Sequence, residues 1–292
     1  MAALAALMPE ALDPLVGRAE HALTVSRSSR SRRRVGREDH PRPVPVANVP
    51  RPLEVTIASE RAEWEQAFQL VASSYQARGY EVPRPGGIRF TPYHALPDTV
   101  TFVAKHEQRV VATLSLVPDN AILGLPMECV YAQELERLRR AGRRLVEVTS
   151  LADSGLSLRE FVPVFVTLLR LSAQYGIQQG ADTWVISINP RHRSFYRKVM
   201  GFVPLGPWRA YPSVQNHPAE AYWLDVPLLQ TNAPAMYEQI FSEWLPRDAF
   251  CHRPMPPDLV RYFGRHSTQT DSETIHEILG FVEHFGSPRR WL

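Results

Sequence analysis

Cysteine is scarce in this chain. Its 292 residues include two, Cys129 and Cys251, too few for a disulfide framework and without the spacing of a metal-ligand pair. The ten histidines fall into no H-x-x-x-H pattern, so no metal is expected. No nucleophile-elbow sequence occurs, which leaves a hydrolase triad unsupported. Long apolar runs are missing too: none approaches the roughly 18 residues of a membrane span. The start, MAALAALM, lacks the basic lead of a signal peptide, and Glu10, Asp13 and Glu20 argue against a transit peptide. A cytoplasmic protein is the expectation. Charge of either sign is in small excess only, at a formal +3, which suits an acidic protein partner and is weak ground for nucleic acid.

What is present divides into three zones. Residues 1–50 carry the Ser/Arg run Ser26–Arg37, SRSSRSRRRVGR, followed by Pro41, Pro43, Pro45 and Pro50. Such a composition buries no core and reads as a disordered arm, with a short apolar helix allowed over 2–16. Residues 51–228 alternate strands and helices. A strand over 53–58 precedes a helix that Ser59 can cap and Gly79 ends, with Trp64, Ala67, Phe68, Val71 and Tyr75 on one face. Strands over 99–104 and 109–117 form a hairpin, a charged helix covers 131–141, and 144–152 is a strand. An apolar helix over 160–175 leads to a strand over 182–188. Asn189, Pro190 and Gly201 then punctuate a helix, and strands over 203–211 and 221–226 close the zone. Residues 229–292 read as a helical extension, with helices over 235–244 and 271–285. The order β-α-β-β-α-β-α-β-α-β-β predicts an α/β fold: a mixed sheet of six or seven strands with helices on both faces.

Two sets of residues carry a family resemblance. The helix NPRHRSFYRKVMGF, Asn189–Phe202, resembles the Asn…Tyr…Gly-Phe signature of the GNAT acyltransferases. More specifically, TFVAKHEQRVVATLSLVPD, GLPME, RRLVEVTSLA and FVPLGPWRAYPSVQNHPAEAYWLDV are similar to the FeeM-type N-acyl amino acid synthases, relatives of the acyl-homoserine-lactone synthases. The resemblance covers about residues 53–226. It implies a GNAT fold in which the fourth strand splays from the fifth, an acyl thioester lies in the gap, and backbone N–H groups of Val148, Thr149, Ser150 and Leu151 face it. It also implies an N-acyltransferase using acyl carrier protein, whose phosphopantetheine arm carries a long acyl chain, with an amino acid as acceptor and no cofactor. One departure bears on the donor. Coenzyme A-dependent members of the fold have a Gly-rich turn after the fourth strand, whose N–H groups cradle pyrophosphate. Here the junction is SLADSGLSLREF, with one glycine, Gly155. A carrier protein brings no pyrophosphate, so the missing turn favours it.

The reaction needs a base for the amine, stabilisation of an oxyanion and departure of a thiolate. Glu147 lies mid-strand in LVEVTSLA, where alternation places it on one face with Leu145, Thr149 and Leu151. Position alone leaves it open between a salt bridge to an arginine and a catalytic base, and the resemblance favours the base. The resemblance also makes Tyr196 the acid for the thiolate or a residue that orients the pantetheine, where the bland alternative is packing with Phe195. Arg137, Arg139, Arg140, Arg143 and Arg144 form a basic cluster, either a solvated helix end or a dock for an acidic carrier protein; Arg191, Arg193 and Arg197 extend it. Arg78, Arg84, Arg89 and Arg209 are all available for an acceptor carboxylate. Competing readings are an autoinducer synthase acting on S-adenosylmethionine, a non-catalytic thioester-binding module, and nucleic-acid binding through Ser26–Arg37.

Overall fold

The computed structural model describes residues 40–49, 51–83, 87–267, 269–270 and 272–290. The expectations for Ser26–Arg37, for a helix over 2–16 and for Arg84 lie outside these residues. Among the described residues no helix is long and apolar enough to cross a membrane.

An eight-stranded mixed sheet forms the centre, in the order β1-β2-β3-β4-β5-β6-β8-β7. Its strands are β1 (Val44–Pro45), β2 (Glu54–Ile57), β3 (Val100–His106), β4 (Arg109–Pro118), β5 (Leu145–Asp153), β6 (Thr183–Ile188), β7 (Val203–Tyr211) and β8 (His217–Asp225). From β2 to β8 the order of strands and helices is the expected one. The eighth strand corrects the arm's boundary: Val44–Pro45 pairs with β2 and Val46 is buried, so the sheet edge begins inside the segment that composition assigned to disorder. Two residues flanked by prolines carry too little periodicity to register as a strand.

The charged turn at Glu107, with φ 52, joins β3 to β4 as a hairpin. Among the described strands of the sheet only β5 and β6 pair in parallel, as a crossover through a helix requires. Helix α1 (Arg61–Ala77) packs on β3, β4 and β5 from one side. Its N-cap is Glu60, one residue beyond Ser59, because Glu63 folds back to accept the N–H groups of Ser59 and Glu60. Helix α2 (Glu128–Arg140) precedes β5, and α3 (Leu158–Gln178) covers the opposite face of β2–β4. Alternation along β3 separates the two layers: Phe102 meets Tyr175 of α3, and Val103 joins Phe68 of α1. Asn189 accepts the Arg191 N–H ahead of α4 (Arg193–Lys198), and Gly201 beyond it has φ +76, as its place at the end of the helix requires.

The C-terminal helices are α5 (Leu229–Asn232), α6 (Pro234–Phe241), α7 (Pro257–His266) and α8 (Ser272–Phe285). Helix α7 is an addition to the two expected helices of the extension; Pro257 at its first turn and the Val260–Phe263 spacing are its signals. Val260, Phe263, Ile275 and Ile278 complete a core with Trp64, Phe68, Phe90 and Val103, so α7 and α8 seal the α1 side of the sheet. The two helices meet at Gly264, where a Cβ would lie 2.7 Å from Ile275 Cγ1. Gly264→Val is expected to cost about 1–3 kcal/mol through overpacking. A lowered denaturation midpoint checks this; an unchanged midpoint would mean that α7 and α8 separate freely.

Candidate active site

The ladder between β5 and β6 stops early. It joins Leu145, Val146 and Glu147 to Thr183, Trp184 and Val185, and among the described residues no further pair follows, although the strands run on to Asp153 and Ile188. A bulge accompanies the parting. Ser115 pairs with Thr149 but Thr113 with Ala152, so β5 carries one more residue than β4 over this stretch, and Ser150 takes φ 56. The bulge corrects the simple alternation: Ala152, not Leu151, shares a face with Thr149. A serine gives no sequence signal for such a left-handed turn. Val148, Thr149, Ser150 and Leu151 thus sit where β5 leaves β6, with no β6 ladder partner.

Glu147 is fully buried beside this opening. Its Oε2 accepts the Met127 N–H at 2.9 Å, and its Oε1 has no hydrogen-bond partner. No arginine pairs with it among the described residues, so the salt-bridge reading finds no support. Burial raises its pKa well above the usual carboxylate range, with the Met127 N–H opposing in part. On the same face lie its ladder partner Val117 and Thr149, and both line a cavity of about 170 Å³. Tyr93, Cys129 and Tyr211 close that cavity, and the Ser150 bulge forms part of its wall. Burial, then the Glu147 charge, pushes both phenols upward, so the rings are neutral hydrogen-bonding walls. Tyr211 donates to Pro126 O at 3.1 Å.

Thr91 also lines the cavity and is bonded to buried His94. His94 Nδ1 accepts the Thr91 N–H at 3.1 Å, which leaves Nε2–H to face Ser115 Oγ at 3.4 Å. Burial, with Arg89 nearby, lowers its pKa to about 3. The folded value lies below the unfolded value, so this contribution is present above about pH 6.5 and is lost as pH falls toward 3. His192 and His252, each lowered by burial to about 4, act in the same direction. A melting temperature that declines from pH 6.5 to 4 is expected, with a shallower decline in His94→Gln. Equal slopes would remove His94 from the effect.

The anticipated arginines separate into different roles. Arg139 is an internal tie: it reaches Asp119 at 2.7 Å and Glu128 at 2.6 Å. Arg143 pairs with Asp225, Arg144 with Asp182 at 3.1 Å, and exposed Arg140 with Glu136 at 2.9 Å; Arg137 is exposed. The whole cluster precedes Leu145, at the end where β5 and β6 are paired. The cluster therefore lies at the far end of β5 from the parting. At the opposite, parting end lie exposed Arg159, Arg191, Arg193 and Arg197. Arg209 ties β7 to α2 through Val130 O and Glu134, and Arg78 bonds Ser74. Of the four arginines considered for a carboxylate, Arg89 is the one among the described residues that lines the cavity. Tyr196 of α4 is buried, with its ring edge-on to Phe195 and Phe202.

A mixed sheet that parts beside a bulge, with helices on both faces, defines a GNAT-type acyltransferase. The chain belongs to the N-acyl amino acid synthase FeeM family, which it matches over residues 66–225, more than half its length. The structure of FeeM, an N-acyl amino acid synthase from uncultured soil microbes, is 31% identical, over 62% of this chain and 94% of that one, with a TM-score of 0.54. Further similar structures are the coenzyme A-dependent acyl-homoserine lactone synthase BjaI, 20% identical over 71% and 98% of the two chains with a TM-score of 0.48, and the synthase LasI, 13% identical over 66% and 96% with 0.46. No curated protein matches the sequence.

Proposed function

We propose that the chain moves a long-chain acyl group from acyl carrier protein to the amine of an amino acid. The observation that carries this reading is the shared position of the bulge: Thr149 and Ser150 belong both to the gap between β5 and β6 and to the cavity, which Val117 and Thr149 line from the face that carries Glu147. A thioester in the gap meets an acceptor in the cavity at that point. Glu147 accepts a proton from the acceptor ammonium, directly or through a water. The amine nitrogen attacks the thioester carbonyl, and backbone N–H groups of Val148–Leu151 stabilise the oxyanion. The C–S bond breaks as the attacking nitrogen gives up its second proton; the pantetheine thiolate takes a proton, for which Tyr196 is the proposed donor, and the proton released from nitrogen restores the phenol. An amide and a free thiol result.

The junction after β5 supports a carrier-protein donor. The N–H groups of Gly155 and Leu156 both donate to Asp153 Oδ1 at 2.8 Å, and the Ser157 N–H donates to Glu160. A carboxylate therefore occupies donors that could otherwise cradle pyrophosphate. The exposed arginines at the parting end suit an acidic partner. Arg191→Glu with Arg197→Glu is expected to slow transfer from carrier-bound acyl groups more than from a small acyl thioester, with salt weakening the wild-type preference. Equal loss on both donors would contradict the docking role.

The cavity is small beside the roughly 300–1,000 Å³ of pockets for drug-sized ligands, which suits an amino acid rather than an acyl chain. Arg89 is the proposed partner of its carboxylate. Incubation with long-chain acyl carrier protein and an amino-acid mixture is expected to yield N-acyl amino acids by mass spectrometry. Efficient use of acetyl-coenzyme A would overturn the donor assignment.

A further inference from the structure

The acceptor cavity has one wall from outside the matched family segment. Gln269, between α7 and α8, lines it. That segment is fastened to the strip carrying Arg89 at two points. Ser267 bridges to Ile88, and its hydroxyl both donates to Phe90 O and accepts the Gln269 N–H, the latter at 2.8 Å. Gln269 Nε2 then donates to Glu81 Oε1 at 3.1 Å, and Glu81 Oε2 takes Arg89 Nη1 at 2.8 Å. Both ion-pair partners are buried, and the Arg89 guanidinium also lies over the Tyr75 ring at 4.2 Å.

We propose that the C-terminal extension is part of the active site and that Gln269 determines acceptor specificity. It acts in two ways. Its side chain limits the room for the acceptor's own side chain in a cavity of about 170 Å³. Its amide also holds Glu81, and through Glu81 the orientation of Arg89, so Gln269 is a positioning residue for the carboxylate anchor. The chemical class recognised is a compact α-amino acid. Selection works by size, since a polar wall of fixed depth discriminates between side chains that differ by one or two carbons.

This inference rests on an amino acid being the acceptor, and its test keeps the two apart. The full chain is assayed against the twenty common amino acids, one at a time, with one acyl donor. In Gln269→Ala, the kcat/KM ratio between bulky and compact acceptors is expected to rise roughly ten-fold or more, with donor KM and melting temperature near wild type. Ser267→Ala, which loosens the strap, should shift the ratio in the same direction by less. A merely structural Gln269 would lower all acceptors together; an unchanged rank order overturns the proposal. In parallel, saturation-transfer NMR reads binding of the amino-acid pool without donor. If wild type acylates no amino acid yet binds compact ones, with Gln269→Ala extending binding to bulky ones, the specificity role stands and the assigned reaction falls. Identical binding by both proteins overturns the specificity role.

Discussion

Replacing Glu147 with Gln is expected to cut the rate of acyl transfer by ~10²–10⁴-fold, the usual worth of a positioned base, without unfolding the protein. Gln keeps the volume and an oxygen for the Met127 N–H, but it accepts no proton. Amino-acid amines are mostly protonated near neutrality, so the loss should shrink at high pH, where free amine is supplied by solution. Stability should move the other way from activity. The folded pKa of Glu147 is raised, so at low pH, with the carboxyl neutral in both states, burial carries no charge penalty. The penalty grows as pH rises above the unfolded value, because the unfolded chain releases the proton first. Glu147→Gln should therefore match wild-type stability near pH 4 and equal or exceed it at pH 8. Single-turnover rates and melting curves on one preparation check both. A fully active, destabilised Gln variant would take Glu147 out of the mechanism.

Arg139→Met is expected to be the most damaging of the arginine substitutions, and its damage should be to folding. Asp119 is almost completely buried and relies on Arg139 at 2.7 Å, with Arg290 more distant at 3.4 Å. Breaking a buried pair from one side costs on the order of 3–5 kcal/mol, and Asp119 would keep only the longer contact to half-exposed Arg290 among the described residues. Glu128 loses a bond in the same step, and with it the first turn of α2. Denaturation should shift to much lower denaturant, and surviving activity should fall equally for carrier-bound and small thioesters. A selective loss on the carrier-bound donor would return Arg139 to a docking role. Arg140→Met, by contrast, should change stability little, since its partner Glu136 is half-exposed and the pair lies in water.

The order of elements was legible because it rests on local signals. Punctuation by Asn189, Pro190 and Gly201 marked α4, apolar spacing marked α1 and α3, and the charged turn marked the β3–β4 hairpin. Glu147 stood out as a carboxylate in an apolar strand. What escaped was set by tertiary contacts. The Ser150 turn is imposed by its register against β4, and alternation therefore misplaced Leu151. Nothing local distinguishes Arg139, spent on Asp119, from Arg191, exposed on the surface with a bond to its neighbour His192. The cavity draws Tyr75, Arg89, Tyr93, Cys129, Tyr211 and Gln269 from segments up to 194 residues apart, from Tyr75 to Gln269.

The short pairing between β5 and β6 has a mechanical consequence. Among the described residues, three pairs form the ladder linking β1–β5 to β6–β8, so the central sheet is two sheets sewn along a brief seam. Opening should be least costly along that seam, where few backbone bonds must break. A ligand that runs its own amides into the gap adds stitches from the open end. Amide hydrogen exchange at Val148–Leu151 would register those stitches as slowed exchange, making the strand itself a gauge of how much of the seam a donor has closed.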